Sequence, residues 1–504
     1  MTDDGPAVRA RAASVFEAGQ VLSTSTLAER ALWLSDAAST LARQADGERD
    51  ALSEATGLSI PMVEWATRTT LETITDNAML ALAQNARQGV DRALDPIGLL
   101  SVVLAGNVFT ASVRGIVVPL LFGVPVLVKA SSRETLFPAM LRNALRSTDS
   151  RLGAAMDVVA FPGGDAEAEA ALVELAEAVS VYGSDETIEA IAARLASTPL
   201  IAHGHGVSVA YCGSHAVRGG HLGDTISELS LDICAYDQRG CLSPQLVYVE
   251  ETPDLSAMAF AERLAEDGLE PLSRTLPRGP LPVPVGAAQA QWRGIAEVEG
   301  TLFRGDTSAV SVREPQPIRW SPGFRNITVA GVRGLDEALQ AMQPIGSNLK
   351  CVGTDSASMP ELQARLTESP TLSAYACKTG TMQTPALDAP ADAHPIWHAL
   401  FRNYRKLGCG DFRSWSSAPA ANDGEVLLYL AGSDRGGKPT TGEKIRTLDA
   451  DEQALAEIAL KPGAEDLRGC AFDVVLDALE VEGPRVAVVD RVACTVVVVA
   501  RLAD

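Results

Sequence analysis

Cys241 is the sharpest chemical feature of this 504-residue chain, set in AYDQRGCLSPQLVYVE. A glycine stands just before the thiol, a Ser-Pro turn just after it, and a strand-like apolar run follows. A thiol on a glycine-preceded turn is accessible to a substrate, and the adjacent backbone N–H groups can serve as an oxyanion hole. The plainer alternative is a small buried thiol, which is how most cysteines behave. As a nucleophile the thiolate must form near neutral pH, and Arg239 or the N–H groups of the turn are placed in sequence to lower its pKa.

Two other groupings promise chemistry and deliver less. His203, His205, His215 and His221 fall within nineteen residues, and His394 and His398 form HPIWH. No cysteine or carboxylate stands at a recognised ligand spacing to them, and HPIWH lacks the glutamate of a zincin, so no metal is expected. AGSDRGGKP (431–439) has Gly432, Gly437 and Lys438 at P-loop spacing, but Pro439 stands where Ser or Thr would hold Mg²⁺. Nucleotide phosphate is not expected there. A G-x-G-x-x-G after the first strand is also missing.

The elements that must position these residues follow from apolar patterning. Residues 25–90 carry apolar side chains at helical spacing. From residue 97 short apolar runs alternate with helix-length segments: LLSVVLAG, PVLVKA, MDVVAFPGG, AVSVYGS and PLIAHG read as five strands. Continuous apolar strands alternating with helices predict a parallel sheet covered on both faces. Ligands of such sheets bind at the carboxyl ends of strands, here Gly106-Asn107, Lys129-Ala130, Pro162-Gly163-Gly164 and Gly183-Ser184. A second α/β segment starts at VSVAYC and includes QLVYVEE, NITVAGV and LKCVGT. The Pro-rich stretch 276–286 reads as a loop, as do Thr384 to Pro395 and Cys409 to Gly424. GEVLLYLAG and PRVAVVDRVACTVVVVARL are strand signals near the end.

Composition bounds the function. Lys and Arg number 42 against 64 Asp and Glu, a net charge of −22, which disfavours nucleic acid as a partner. With 46% hydrophobic and 21% charged residues, wholesale disorder is excluded. The eight cysteines form no CxxC pair and no small disulfide framework, so reduced thiols and a cytoplasmic location are expected. The beginning, MTDDGPAVRARAAS, has no apolar signal-peptide core. The apolar stretch 97–128 is interrupted by Asn107, Arg114, Pro119 and Pro125, which suits strand, turn, helix and strand better than a membrane span.

The motifs AGNVFTASVRGIVVPLLFGVPVLVKASSRETLFP, VYGSDETIEAI, HGHGVS and DQRGCLSPQLVYVE occur in that order over roughly residues 95–250. Together they resemble the aldehyde dehydrogenase superfamily, and within it the acyl-CoA reductase family that includes the long-chain fatty acyl reductase of bacterial luminescence. Likeness is thinner from 251 to about 405, where SPGFRNITVAGV and CKTGTMQTP remain similar. The resemblance implies two doubly wound, Rossmann-like α/β domains with an oligomerisation or accessory segment. The expected division is 1–205 for a helical preamble plus dinucleotide binding, 206–380 for the thiol, and 381–504 for the accessory part.

By the same resemblance Cys241 is the nucleophile that becomes S-acylated, and the Asn107 side-chain amide stabilises the oxyanion with the Cys241 N–H. Lys129 is the lysine at the adenosine ribose. Gly183 and Ser184 contact the pyrophosphate at a helix N-terminus, where N–H groups and the helix dipole favour an anion. An ordinary N-cap for Ser184, a solvated strand-end lysine for Lys129 and a plain turn residue for Asn107 are the alternative readings. Oxidising members carry a glutamate at the head of the Gly-rich turn to activate water. His203 stands there in this chain, with His205 the neighbouring option. Without that carboxylate, water attack is slower and the acyl-enzyme survives for reduction or thiol exchange. Ser132 stands where NAD-selective sites place a carboxylate on the ribose, and Arg133 follows it, a pairing that suits a 2′-phosphate and hence NADP(H).

The expected activity is NADPH-dependent reduction of a fatty acyl thioester to the aldehyde. A hydrolytic or CoA-acylating aldehyde dehydrogenase, and a non-catalytic scaffold of the same fold, are the alternatives. The expected partners are the acyl thioester, an acyl-activating or acyl-carrier protein, and further copies of the chain.

Overall fold

The computed structural model describes residues 2–87, 95–195, 198–372, 374–391 and 395–402, with the strands at 425–433, 439–449, 485–490 and 495–501. The chain divides into two compact units, Met1–Leu400 and Phe401–Asp504.

Five helices lead the first unit: α1 (Gly5–Leu22), α2 (Leu27–Gly47), α3 (Arg49–Thr56), α4 (Ile60–Leu71) and α5 (Asp76–Arg87). The helical spacing expected from the sequence starts at residue 25, and α1 lies ahead of it. That helix buries Val8, Ala12, Val15, Gly19 and Leu22 at helical spacing, but small residues among them give little hydropathy contrast. A Cβ on Gly19 would lie 2.5 Å from Pro125 Cγ, so the glycine lets α1 lie against the sheet region. Caps set the helix starts: Thr26 and Glu29 form a capping box for α2, and Ser59 accepts from Met62 N at α4.

The first sheet contains β1 (Leu100–Val103), β2 (Val126–Lys129), β3 (Met156–Val159), β4 (Ala178–Tyr182) and β5 (Leu200–His203). All five are parallel, in the order β3-β2-β1-β4-β5. β1 through β4 are mostly apolar and buried along nearly their whole length, with Ser101, Asp157 and Ser180 as buried polar exceptions, as expected for a sheet covered on both faces. The crossovers carry α6 (Ser112–Leu121), α7 (Leu136–Thr148), α8 (Ser150–Ala154), α9 (Ala166–Val173) and α10 (Asp185–Ala192). The chain runs outward from β1 to β2 and β3, then returns to place β4 on the other side of β1. This reversal makes a topological switch point between β1 and β4, where sheets of this type bind their ligands.

The second sheet holds β6 (Val207–Cys212), β7 (Pro244–Glu250), β8 (Thr301–Arg304), β9 (Ala309–Arg313), β10 (Asn326–Val332), β11 (Leu349–Thr354) and β12 (Tyr375–Lys378), in the order β12-β11-β6-β7-β10-β9-β8. It is parallel apart from the β8–β9 pair. Around it lie α11 (His221–Cys234), α12 (Ala257–Arg263), α13 (Glu270–Thr275), α14 (Val283–Glu299), α15 (Leu335–Met342) and α16 (Met359–Glu368). Two apolar layers flank it, one centred on Ile226, Phe260 and Ile327, the other on Tyr248, Leu339 and Val352. The loop expected over 276–286 ends at Pro282. Val283 and Pro284 open α14, because proline without its N–H is at home in a first helical turn.

In the second unit, β13 (Glu425–Ser433), β14 (Pro439–Asp449), β15 (Arg485–Asp490) and β16 (Thr495–Arg501) form an antiparallel sheet in the order β14-β13-β16-β15. The last apolar run, read as one strand signal, is two paired strands. Pro439 opens a strand rather than a helix and pairs with Ser433, so the P-loop-like spacing lacks the following helix. Gly437, Lys438, His394 and the 409–424 loop reading lie outside the described residues. Among the described residues no helix is long and apolar enough to cross a membrane.

Candidate active site

The turn that carries Cys241 begins where α11 ends. Tyr236, Asp237 and Gln238 all adopt left-handed backbone conformations, with φ of 51°, 54° and 58°. Such angles are uncommon without glycine, and three in succession persist only where surrounding structure holds them. The Tyr236 ring is buried and meets Trp65 and Phe109 edge-on, while its hydroxyl lies 2.6 Å from Thr110 Oγ1. Gln238 Nε2 donates to Pro244 O at 2.8 Å. The Asp237 carboxylate accepts from Gly279 N at 3.0 Å and from Arg325 Nη2 at 2.8 Å, and the two side chains are 2% and 0% exposed.

Arg325 belongs to a second left-handed strap, Gly323-Phe324-Arg325, with φ of 68°, 52° and 67°. Gln289 Nε2 and Asn326 Nδ2 donate to the carbonyls of Gly323 and Phe324 and hold it. One buried ion pair therefore ties two left-handed straps together.

Beyond the strap, Arg239 donates to Tyr236 O and Thr56 O, and burial lowers its pKa. Ser243 N closes the turn onto Gly240 O at 3.0 Å. Cys241 is exposed, and its carbonyl accepts from Ser208 Oγ at 2.8 Å. Below it the buried Ser243 donates to Gln383 Oε1 at 3.3 Å.

Asn107 follows β1 and is exposed. Its Nδ2 donates to Arg239 O at 3.0 Å, two residues before Cys241. A side-chain amide carries two N–H donors, so one remains for a substrate oxygen. The approach is close because residue 240 is glycine: a Cβ there would lie 3.2 Å from Val108 Cγ2 and 3.3 Å from Gln383 Oε1. Asn107 and the Cys241 turn, 132 residues apart as measured to Arg239, thus meet at the carboxyl edge of β1.

Lys129 ends β2. Its Nζ lies 5.4 Å from the centre of the Phe161 ring, and burial lowers its pKa, partly offset by Glu169. Ser132 and Arg133 are exposed just beyond. A Cβ on Gly106 would lie 2.6 Å from Ser131 Oγ and 3.0 Å from Arg133 Cβ, so the loops after β1 and β2 touch. Glu134, the next carboxylate along, is buried and accepts from Phe137 N at 2.7 Å, with its pKa raised by burial. It caps α7.

Gly183 N donates to His203 O at 3.3 Å, and the Ser184 hydroxyl caps α10 by accepting from Thr187 N at 3.4 Å. Asp185 and Glu186 occupy the first turn of α10, which weakens its pull on an anion. His203 stacks on Tyr182 with ring centres 4.2 Å apart, and His205 N donates to Asp185 Oδ1 at 3.3 Å. These contacts place both histidines at the β4–α10 junction, whereas the contacts of Asn107 run to the Cys241 turn. Among the described residues no group of three or more His, Cys, Asp or Glu gathers as a metal site.

The residues at the carboxyl ends of β1 and β2 fit a dinucleotide: a half-buried ammonium at Lys129, an exposed guanidinium at Arg133, and loops packed closely at Gly106. Sequence reasoning missed Asp237, Arg325, Ser243 and Gln383. They lie within the motifs DQRGCLSPQLVYVE, SPGFRNITVAGV and CKTGTMQTP, but their pairing is not legible there, because each acts through a partner far away in the chain.

The architecture is that of aldehyde dehydrogenases. Aldehyde dehydrogenase 21 from Physcomitrella patens, solved with the reaction product succinate, superposes with a TM-score of 0.61 at 14% identity, covering 79% of this chain and 89% of its own. A salicylaldehyde dehydrogenase from Pseudomonas putida G7 gives 0.58 at 14% identity, with 78% and 86% covered. An NAD-dependent benzaldehyde dehydrogenase from Corynebacterium glutamicum gives 0.59 at 12% identity, with 76% and 89% covered. No curated protein matches the chain. Residues 71–392 match the acyl-CoA reductase (LuxC) family, and the chain belongs to that family. It is an oxidoreductase of acyl-reductase type on the aldehyde dehydrogenase fold, in a family that uses nicotinamide cofactors.

Proposed function

We propose that the protein reduces a fatty acyl thioester to the aldehyde through an acyl group held on Cys241, with NADP(H) as the cofactor. The observation that carries this reading is the hydrogen bond from Asn107 to Arg239 O, which sets an amide donor beside an exposed thiol.

The Cys241 thiolate attacks the thioester carbonyl. The second Asn107 N–H and the Cys241 backbone N–H receive the negative oxygen as the tetrahedral species forms. The carbonyl re-forms, the CoA or carrier thiolate leaves, and the acyl group remains on Cys241 as a thioester. When bound, the reduced nicotinamide supplies the hydride for that carbonyl carbon. Asn107 holds the oxygen a second time, and expulsion of the Cys241 thiolate releases the aldehyde. His203, stacked on Tyr182, stands where oxidising relatives have a water-activating carboxylate, which favours survival of the acyl-enzyme. Lys129 takes the adenosine ribose, Arg133 with Ser132 takes the 2′-phosphate, and Gly183 with Ser184 borders the pyrophosphate.

In this reading residues 1–205 are a helical preamble plus the dinucleotide-binding domain, 206–380 present the thiol, 381–504 are an accessory or oligomerisation segment, and the protein is a cytoplasmic homo-oligomer. Light scattering of the purified chain measures the last. Intact-protein mass spectrometry after exposure to an acyl-CoA tests the chemistry. One acyl adduct, absent in Cys241→Ser and discharged as aldehyde by NADPH, is expected. Rapid discharge as free acid without NADPH supports a hydrolytic enzyme instead. Folded protein that binds NADPH but never acylates supports a scaffold.

A further inference from the structure

A second pair of thiols lies in the second sheet. Cys351 is on β11 and Cys377 on β12, and their sulfurs are 3.0 Å apart. Strand register explains the meeting. Cys351 pairs with Tyr375, and Gly353 pairs with Cys377, so both cysteines project from the same face of adjacent parallel strands. Gly353 makes room there for Met382: a Cβ on the glycine would lie 2.4 Å from Met382 Sδ. Cys351 is buried and Cys377 half-buried. Leu242, next in sequence to Cys241, packs on the same small cluster with Tyr375 and Met382.

We propose that Cys351 and Cys377 are an oxidisable dithiol, which closes to an intramolecular disulfide by exchange with a small-molecule disulfide of the glutathione class. The roles follow from exposure. The thiolate of half-buried Cys377 attacks one sulfur of the oxidant, forming a mixed disulfide and releasing one glutathione thiolate. Cys351 then loses its proton and attacks the Cys377 sulfur, releasing the second glutathione. Two protein thiols are oxidised, and one disulfide is reduced to two glutathione thiols. Burial pushes the Cys351 thiol up, which makes it a poor first attacker, whereas its position against Cys377 suits it to the second, intramolecular step. A disulfide needs its sulfurs about 2.05 Å apart. The remaining closure falls on β12, a four-residue strand at the end of the sheet order with β11 as its single strand neighbour.

The pair is separate from the acyl chemistry, and its test is made independent by running full-length protein alongside the Cys241→Ser chain. Both are reduced, desalted, treated with oxidised glutathione, blocked with N-ethylmaleimide and digested with trypsin. Cleavage after Lys350, Arg365 and Lys378 leaves the two thiols on separate peptides. The expected main product in both chains is the 351–365 peptide joined to the 366–378 peptide, two hydrogens lighter than their sum and separated by dithiothreitol. Cys377→Ser is expected to abolish the product and leave Cys351 blocked only after denaturation. Recovery of both peptides as maleimide adducts, or with glutathione still attached to Cys377, overturns the proposal. So does a link from either thiol to any other cysteine as the main product.

Discussion

At the scale of single residues, the proposed chemistry rests on Asn107 standing beside Cys241. Removing one oxyanion donor costs roughly 10²–10³ in rate in other acyl-transfer enzymes. Asn107→Ala is therefore expected to slow acylation of Cys241 by about that factor while the far-UV circular dichroism stays unchanged, as followed by quenched-flow mass spectrometry. A loss below about threefold removes Asn107 from the oxyanion role. Arg133 makes a separable claim, because a 2′-phosphate is the only part of NADPH that NADH lacks. Arg133→Ala is expected to raise KM for NADPH about tenfold, the loss of one charge-assisted contact, with KM for NADH nearly unchanged. Equal effects on both cofactors would assign Arg133 to the plain surface. Ordered motifs singled out Cys241, Asn107, Lys129 and Ser184 as candidates, and of these the structure brings Asn107 to the Cys241 turn. Asp237 and Arg325 lie in quoted motifs too, but their pairing was not legible, since an ion pair across 88 residues leaves no local pattern.

At the scale of elements, the thiol turn owes its shape to the two left-handed straps. Arg325→Met leaves the Asp237 carboxylate buried without its cation, at a cost of roughly 3–5 kcal/mol. Adding Asp237→Asn is expected to recover much of that loss, with urea unfolding giving a clear coupling energy between the two sites. Purely additive losses would show that the pair does not act as a unit. A second anchor is Asp232 on α11, whose carboxylate accepts from Gly380 N and Met382 N and so fixes the segment leading to Gln383. Desolvation holds its pKa up at about 8, against those N–H bonds. The unfolded value is near 3.9, so between about pH 4 and 8 the folded state binds a proton that the unfolded state does not. This contribution to stability is full below that window and is lost as pH rises through it. The urea midpoint is expected to fall from pH 6 to pH 8, and Asp232→Asn to flatten that slope. An unchanged slope would move the pH dependence to other groups.

At the scale of the whole molecule, a net charge of −22 confronts the proposed acyl-CoA and NADPH, which are themselves polyanions. Long-range repulsion slows their encounter at low salt. The Debye length shrinks from about 30 Å at 0.01 M to about 8 Å at 0.15 M, which screens the mean field while sparing close contacts at Lys129 and Arg133. KM for acyl-CoA and for NADPH is therefore expected to fall as salt rises across that range. A KM that climbs instead would mean that local cations govern capture. The same scale separates the two units: the parallel sheets lie within Met1–Leu400, and the antiparallel strands β13 to β16 lie within Phe401–Asp504.

Apolar periodicity by itself determined the alternation of strands and helices from residue 97 onward, because buried parallel strands must be continuously apolar and their crossovers amphipathic. It also settled which loops end those strands, and so where the candidate residues sit along the chain. It was blind to α1, whose small buried residues carry little contrast, and to the helical start inside the proline-rich stretch. Strand order, the switch point between β1 and β4, the Asn107 approach and the Cys351–Cys377 contact were decided only in three dimensions. Each depends on which distant segments pack together, and packing free energy is a property of the assembled core rather than of any local window of residues.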